Sequence, residues 1–157
     1  MRPFLRSDGR EYFLVRQQLS STILLPGAKP FSCLIWDLGG ERRLDDYRKV
    51  ASALVDAGCF YLVCGGAECS KWEDAADDVI VERSLGSGVL PEVVTTSHVG
   101  ESEEDVGFFF VACASSALAF STRVVLVVGN GDGSTEAKLC AAIVDAERDR
   151  LHEASET

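Results

Sequence analysis

Arg123-Val-Val-Leu-Val-Val-Gly129, then Asn130-Gly131-Asp132-Gly133-Ser134, then a helical stripe of Leu139, Cys140, Ile143 and Val144 within 135–151: this stretch decides the fold. The nearly unbroken apolar run suits a strand covered on both faces, as parallel sheets require. The same strand-then-helix unit recurs upstream. Residues 31–38, Phe-Ser-Cys-Leu-Ile-Trp-Asp-Leu, read as a buried strand. Residues 41–57 then read as a helix on Leu44, Tyr47, Ala51, Leu54 and Val55, stopped by Gly58. Residues 59–64, Cys-Phe-Tyr-Leu-Val-Cys, form a second buried strand closed by Gly65 and Gly66.

Ser70-Lys71-Trp72-Glu73 has the spacing of a capping box and predicts a helix start, with Trp72, Ala75, Ala76, Val79 and Ile80 as its apolar stripe. A loop around Gly86-Ser87-Gly88 and Pro91 leads to a weaker strand at 93–97. Ser102 with Asp105 caps a further helix expected to run to about Ala117. Its Phe108-Phe109-Phe110 triplet puts apolar bulk on more than one face, so this helix is either sandwiched in the fold or a homo-oligomer contact.

Four alternations of strand and helix predict a single α/β domain over 1–157. The expected architecture is three-layered, a Rossmann-like or flavodoxin-like open parallel sheet of about four strands with helices on both faces. Residues 1–30 are expected to add an N-terminal edge strand or hairpin, from 12–19 and 22–25; 31–151 hold the repeated units, and 152–157, with His152, form a tail.

The composition agrees with such a domain. A chain of 157 residues with 46% apolar content buries on the order of 70% of the surface its unfolded form exposes, without needing disulfides or metal. The six cysteines fall mostly inside apolar runs and form no C-x-x-C pair, and only two His are present, so no metal site and no cofactor are expected. Charge interrupts the first residues, Met-Arg-Pro-Phe-Leu-Arg-Ser-Asp, as it would not in a signal peptide, and a cytoplasmic location is expected. The longest approach to a membrane span, 106–120, contains Ser115 and Ser116 and is too short, so no membrane partner is expected.

In open parallel sheets ligands bind beyond the carboxyl ends of the strands. Those turns are Asp37-Leu38-Gly39-Gly40, Cys64-Gly65-Gly66, Thr96-Ser97-His98 and Gly129 to Ser134. Gly39, Gly40, Gly65, Gly66, Asn130, Gly131, Asp132, Gly133 and Ser134 are therefore ligand-binding candidates, although tight turns need glycine whether or not anything binds. The last loop is G-x-G-x-G, not the dinucleotide G-x-G-x-x-G, and Asp132 would repel phosphate; no P-loop motif occurs. Asp37 stands where phosphotransfer folds place a nucleophilic carboxylate, but the second acid expected two residues on is Gly39. Cys64 and His98 would make a thiolate and base pair if their strands were adjacent, and adding Cys69 would give a metal site.

Charge is distributed unevenly. The chain carries 25 acids and 15 bases, a formal -10, of which residues 68–105 hold 11 acids against two bases, a net -9. This balance disfavours nucleic acid, whose binding rests on Lys and Arg. Helix starts account for Glu73, Asp74 and 103–105, whereas Asp77 and Asp78 repeat that charge at i,i+4, an arrangement costing roughly 0.2–0.5 kcal/mol per pair. A face kept at that cost would steer a basic protein partner; the alternative is an ordinary solvated face.

Two functions follow. The first is a cytosolic, non-enzymatic binding protein, inhibitor-like or immunity-protein-like, that holds a basic partner on the surface of 68–105 through Glu73, Asp74, Asp77 and Asp78. The second is a small enzyme or nucleotide- or phosphate-binding module using Asp37, Cys64, His98, Asn130 and Asp132.

Overall fold

The two most apolar runs pair with each other at the centre of the sheet: β3 (Phe31–Asp37) and β6 (Thr122–Val128) are parallel neighbours, each buried along its whole length. The computed structural model describes residues 1–18, 22–25, 30–114 and 122–156. Among these, β1 (Leu5–Ser7), β2 (Arg10–Gln17), β4 (Cys59–Gly66) and β5 (Val94–Ser97) complete a six-stranded sheet in the order β1-β2-β6-β3-β4-β5. All neighbours are parallel except β1, which runs antiparallel to β2. The fold is therefore α/β with a mixed, mostly parallel sheet and four helices: α1 (Leu44–Asp56), α2 (Cys69–Ser87), α3 (Glu103–Ala112) and α4 (Ser134–Ser155).

Strand alternation sorts the core into two halves. Cys33, Ile35, Leu62, Cys64, Val124 and Leu126 pack with Leu54 of α1 and Trp72 and Val79 of α2, whereas Leu34, Trp36, Val63, Val125 and Val127 pack with Val106 and Phe110 of α3 and Leu139 and Ile143 of α4. Adjacent side chains on a strand point to opposite faces, so each strand needs apolar residues at both parities. On the second face Gly107 lets α3 approach α4 closely; a Cβ there would lie 2.8 Å from that of Ala142.

The sheet exceeds the expected four strands because the N-terminal segment contributes two. Asp8 (φ 47°) and Gly9 (φ 75°) form a two-residue turn with both φ angles positive, as tight hairpins favour, and fold β1 onto β2. β2 is no edge strand, since it pairs in parallel with β6 over seven residues; β1 is the edge. Residues 22–25 form no strand, and 19 lies outside the described residues.

Five further boundaries differ from expectation. α1 starts at Leu44, not 41, where the Asp46 carboxylate accepts a 2.9 Å hydrogen bond from the Arg43 N–H. The Ser70 capping box does not form: α2 begins at Cys69 and the Glu73 carboxylate instead accepts from the Ser97 hydroxyl. α2 also runs through Gly86 to Ser87 before Gly88 turns left-handed. α3 stops at Ala112, and residues 115–117 of the expected helix lie outside the described residues. α4 continues to Ser155, so 152–155 are helical and no tail begins at 152, because no Gly or Pro follows Gly133 to break it. Among the described residues no helix is long and apolar enough to cross a membrane.

Candidate functional site

The carboxyl ends of β3 and β6 lie side by side, with α1 and α4 leaving to opposite faces, which is where a ligand crevice is expected. The chain fills it. Asp37 Oδ1 accepts from the Gly39 N–H at 2.7 Å, and Oδ2 accepts from Arg42 Nη1 at 2.6 Å and Trp72 Nε1 at 2.9 Å. The Arg42 side chain is only 1% exposed; its Nη2 donates to the carbonyls of Gly39 (3.1 Å) and Val128 (3.4 Å), and its guanidinium lies 5.7 Å from the Trp72 ring centre. Both oxygens of Asp37 are thus engaged by the chain's own groups. Above this ion pair Leu38 covers the last loop: a Cβ on Gly131 would meet its Cδ1 at 2.9 Å.

The glycines of the second turn face the chain's own atoms. A Cβ on Gly65 would strike the Trp36 ring at 2.7 Å, and one on Gly66 (φ +85°) would strike the Asp37 carbonyl oxygen at 2.2 Å. Gly39 and Gly40 bend the chain after β3 with φ of 92° and 119°. In the last loop Asp132 Oδ1 accepts from the Ser134 N–H at 2.9 Å, and that bond holds its carboxyl below the ordinary value. The anion position at the start of α4 is therefore taken by the protein's own carboxylate, while Asn130, Gly131, Asp132 and Ser134 are exposed and Gly133 is half-buried.

Cys64 lies on β4 and His98 just past the end of the neighbouring β5, on opposite faces of the sheet. Cys64 is in register with Ser97, whose hydroxyl reaches α2; His98, one residue on, turns to the other face and stacks 4.4 Å from the Phe109 ring of α3. No thiolate and imidazole pair can form across the sheet. Burial raises the Cys64 thiol well above its ordinary pKa, and the His98 ring contacts Glu101 (2.7 Å) and Thr96 (3.2 Å). Among the described residues no three His, Cys, Asp or Glu side chains are grouped to hold a metal ion. All six cysteines are free: Cys33, Cys59, Cys64 and Cys69 are buried, Cys140 is half-buried and Cys113 is exposed. Burial pushes Cys59 up to about 12. We expect a thiol reagent such as dithiobis(nitrobenzoate) to modify Cys113 rapidly in the native chain, Cys140 slowly, and the buried four only on unfolding. Rapid native-state labelling of Cys64, read by peptide mass, would contradict this placement.

The acids of α2 are mostly used within the fold. Glu73 and Asp77 accept hydrogen bonds from Ser97 and Thr95 (2.7 Å) and so fasten the helix to the short edge strand β5. Asp78 lies 3.7 Å from Arg48 of α1, which also pairs with Glu82. Asp74 is exposed. The i,i+4 repetition that charge spacing alone leaves unexplained thus has a structural use.

The acids at the start of α3 are arranged differently. Glu103, Glu104 and Asp105 face Asp145 and Asp149 of α4 across a groove of about 580 Å³. Half-buried Ala142 and buried Ala146 form its apolar floor, exposed Ala141 stands in line with Asp145 and Asp149, Phe108 is 54% exposed in it, and Lys138 is the one base along its walls among the described residues. Asp105 is held by the Ser102 cap at 2.8 Å and Asp145 by an exposed pair to Arg148 at 3.2 Å, an interaction worth less than about 1 kcal/mol. Sequence reading missed Asp145 and Asp149 because they lie 40 residues beyond the acidic segment. Their i,i+4 spacing beside Ala141, Ala142 and Ala146 was the available signal.

Residues 13–146 match the family described as Domain of unknown function (DUF7684). The chain belongs to that family. The match runs from within β2 into α4 and so spans all five parallel strands and both helical layers. No curated protein matches, and no solved structure does.

This DUF7684 chain carries a second buried ionic cluster, on the α4 side of the sheet. Glu147, 2% exposed, accepts from the Tyr12 hydroxyl, from Arg10 Nη1 at 3.0 Å, from Arg150 Nε at 2.9 Å and from Ser7 Oγ at 3.2 Å. Arg123 lies beside it, stacked 5.8 Å from the Tyr12 ring centre and 5.6 Å from that of Phe110, and donates to the Phe110 carbonyl at 2.7 Å. Burial alone would raise the Glu147 carboxyl, but the hydrogen bonds from Tyr12 and Arg150 and the charge of Arg10 outweigh it and hold the group below its ordinary value. All its contacts are internal, which makes this cluster a tie between the N-terminal hairpin and α4.

Proposed function

We propose that the protein is a non-enzymatic binding protein that takes a basic protein partner in the groove between α3 and α4, in an inhibitor-like or immunity-protein-like role in the cytoplasm. The observation that carries this reading is the groove itself, in which exposed acids rim an apolar floor and an exposed phenyl ring. Apolar floor with charged rim is the anatomy of an interface, whereas acids alone are ordinary surface. The groups that would serve catalysis point the other way: Asp37 is sealed by Arg42 and Trp72, and Cys64 is buried away from His98. Architecture fits a scaffold role, since we read the sheet as a doubly wound, Rossmann-like or flavodoxin-like form, and that form implies no activity.

The test is binding of a fluorescent Lys-rich peptide to the full chain, read by anisotropy. Asp145→Lys with Asp149→Lys is expected to weaken binding at least about ten-fold, about 1.4 kcal/mol, and to flatten its salt dependence. Reversing Asp74 and Asp78 on α2 should change it far less. Equal losses from both pairs would reduce the interaction to net charge and sink the groove assignment.

A second reading places a small anionic ligand at the carboxyl edge, where a pocket of about 630 Å³ is lined by Arg42, Arg43 and Lys71. The acids Glu41, Asp46 and Glu68 line the same pocket, and Glu68 pairs with Lys71 at 3.0 Å, so its charges cancel and the groove is favoured.

A further inference from the structure

We infer that the segment this groove accepts is a basic amphipathic helix of about three turns, lying along α3 and α4 as a third helix; this rests on the groove reading above. Both walls of the groove are helices, and helices satisfy their backbone N–H and C=O groups internally. An extended peptide would find no sheet edge there to pair with, and its own backbone groups would be covered without partners. A helix brings no such debt. Its side chains also fit the charge pattern. The groove takes acids from both helices, Glu104 and Asp105 from α3, Asp145 and Asp149 from α4. A helix with an apolar stripe flanked on both sides by Lys or Arg meets both sets at once, whereas a strand sends alternate side chains away from the groove.

Length and depth agree. From Lys138 to Asp149 the α4 wall advances by 11 residue steps, about 16 Å at 1.5 Å per step, or three helical turns. The alanines of the floor allow an incoming helix the close approach that packed helices need, with axes about 8–10 Å apart. Phe108 is the raised point of that floor, placed to enter the hole between residues at i, i+3 and i+4 of the partner. A second copy of this chain is a poor occupant, because it brings the same acids to the same groove.

The experiment compares three peptides of about 14 residues and equal charge: Leu at i, i+3, i+4 and i+7 with Lys elsewhere; the same composition scrambled; and the first with a central proline. Affinity is read by anisotropy and peptide helicity by circular dichroism on mixing with the full chain. We expect the amphipathic peptide to bind at least ten-fold more tightly than the other two and to gain helical signal, and Phe108→Asp to remove that preference while retaining residual binding of the scrambled peptide. Equal binding of all three would overturn the helix inference and leave the basic-partner reading standing. No binding of any would overturn both. A concentration-dependent dimer in sedimentation that Phe108→Asp abolishes would assign the groove to a second copy and overturn the inference as well.

Discussion

Replacing Asp37 by alanine is expected to destabilise the native state by about 3–5 kcal/mol, the range for removing one member of a buried ion pair. The carboxylate is the only acid that contacts Arg42 among the described residues, and the arginine side chain has almost no exposure through which water could replace it. The substitution also strips the Trp72 indole N–H and the Gly39 N–H of their acceptor. Because the cost is that of an uncompensated buried charge, removing both charges should cost much less. Asp37→Leu combined with Arg42→Met is therefore expected to recover most of the stability lost in Asp37→Ala. Urea denaturation of the single and double variants checks this. If Asp37 were instead a catalytic nucleophile held at a cost to stability, its replacement would leave the denaturation midpoint unchanged or raise it.

Glu147→Ala should be of comparable size, about 3–5 kcal/mol at neutral pH, since it leaves Arg10 and Arg150 without their shared buried acceptor and Arg123 beside them. This group also predicts a pH signature. Its folded pKa lies below the ordinary 4.5, so the native state binds the proton less readily than the unfolded chain. Its contribution is therefore fully present above about pH 4.5 and is lost as pH falls through the lower folded value. The stability gap between the natural chain and Glu147→Gln should accordingly be constant from pH 8 to about pH 5 and narrow below that. A gap that widened on acidification would contradict the sign of the shift.

What the sequence revealed divides along the range of the forces involved. β3, β4, β6 and the helices between them were legible because hydrophobic period is a local signal. β2 reads as an edge element because it contains Arg10, Glu11 and Arg16, and what makes it an inner strand is its pairing with β6, more than 100 residues away. The hairpin before it did carry a local cue in Asp8-Gly9. The Ser70 and Glu73 capping signature misled because Glu73 has a stronger use, holding Ser97 of β5, and such tertiary competition is invisible in a four-residue window. The carboxyl-edge turns follow from the strand ends, but that Arg42 and Leu38 plug them depends on where the six-residue connection 38–43 folds back. Likewise the acidic segment was counted correctly, yet only packing of α3 on α4 shows that its 103–105 end gains partners from 145 and 149.

Hydrogen–deuterium exchange of the full chain with and without the amphipathic Lys and Leu peptide maps the binding surface directly. Binding in the groove gives protection confined to residues 103–112 and 138–149, with the sheet and the carboxyl-edge turns unchanged. Protection centred instead on 70–78 of α2, or on 37–43 and 129–134, would contradict it.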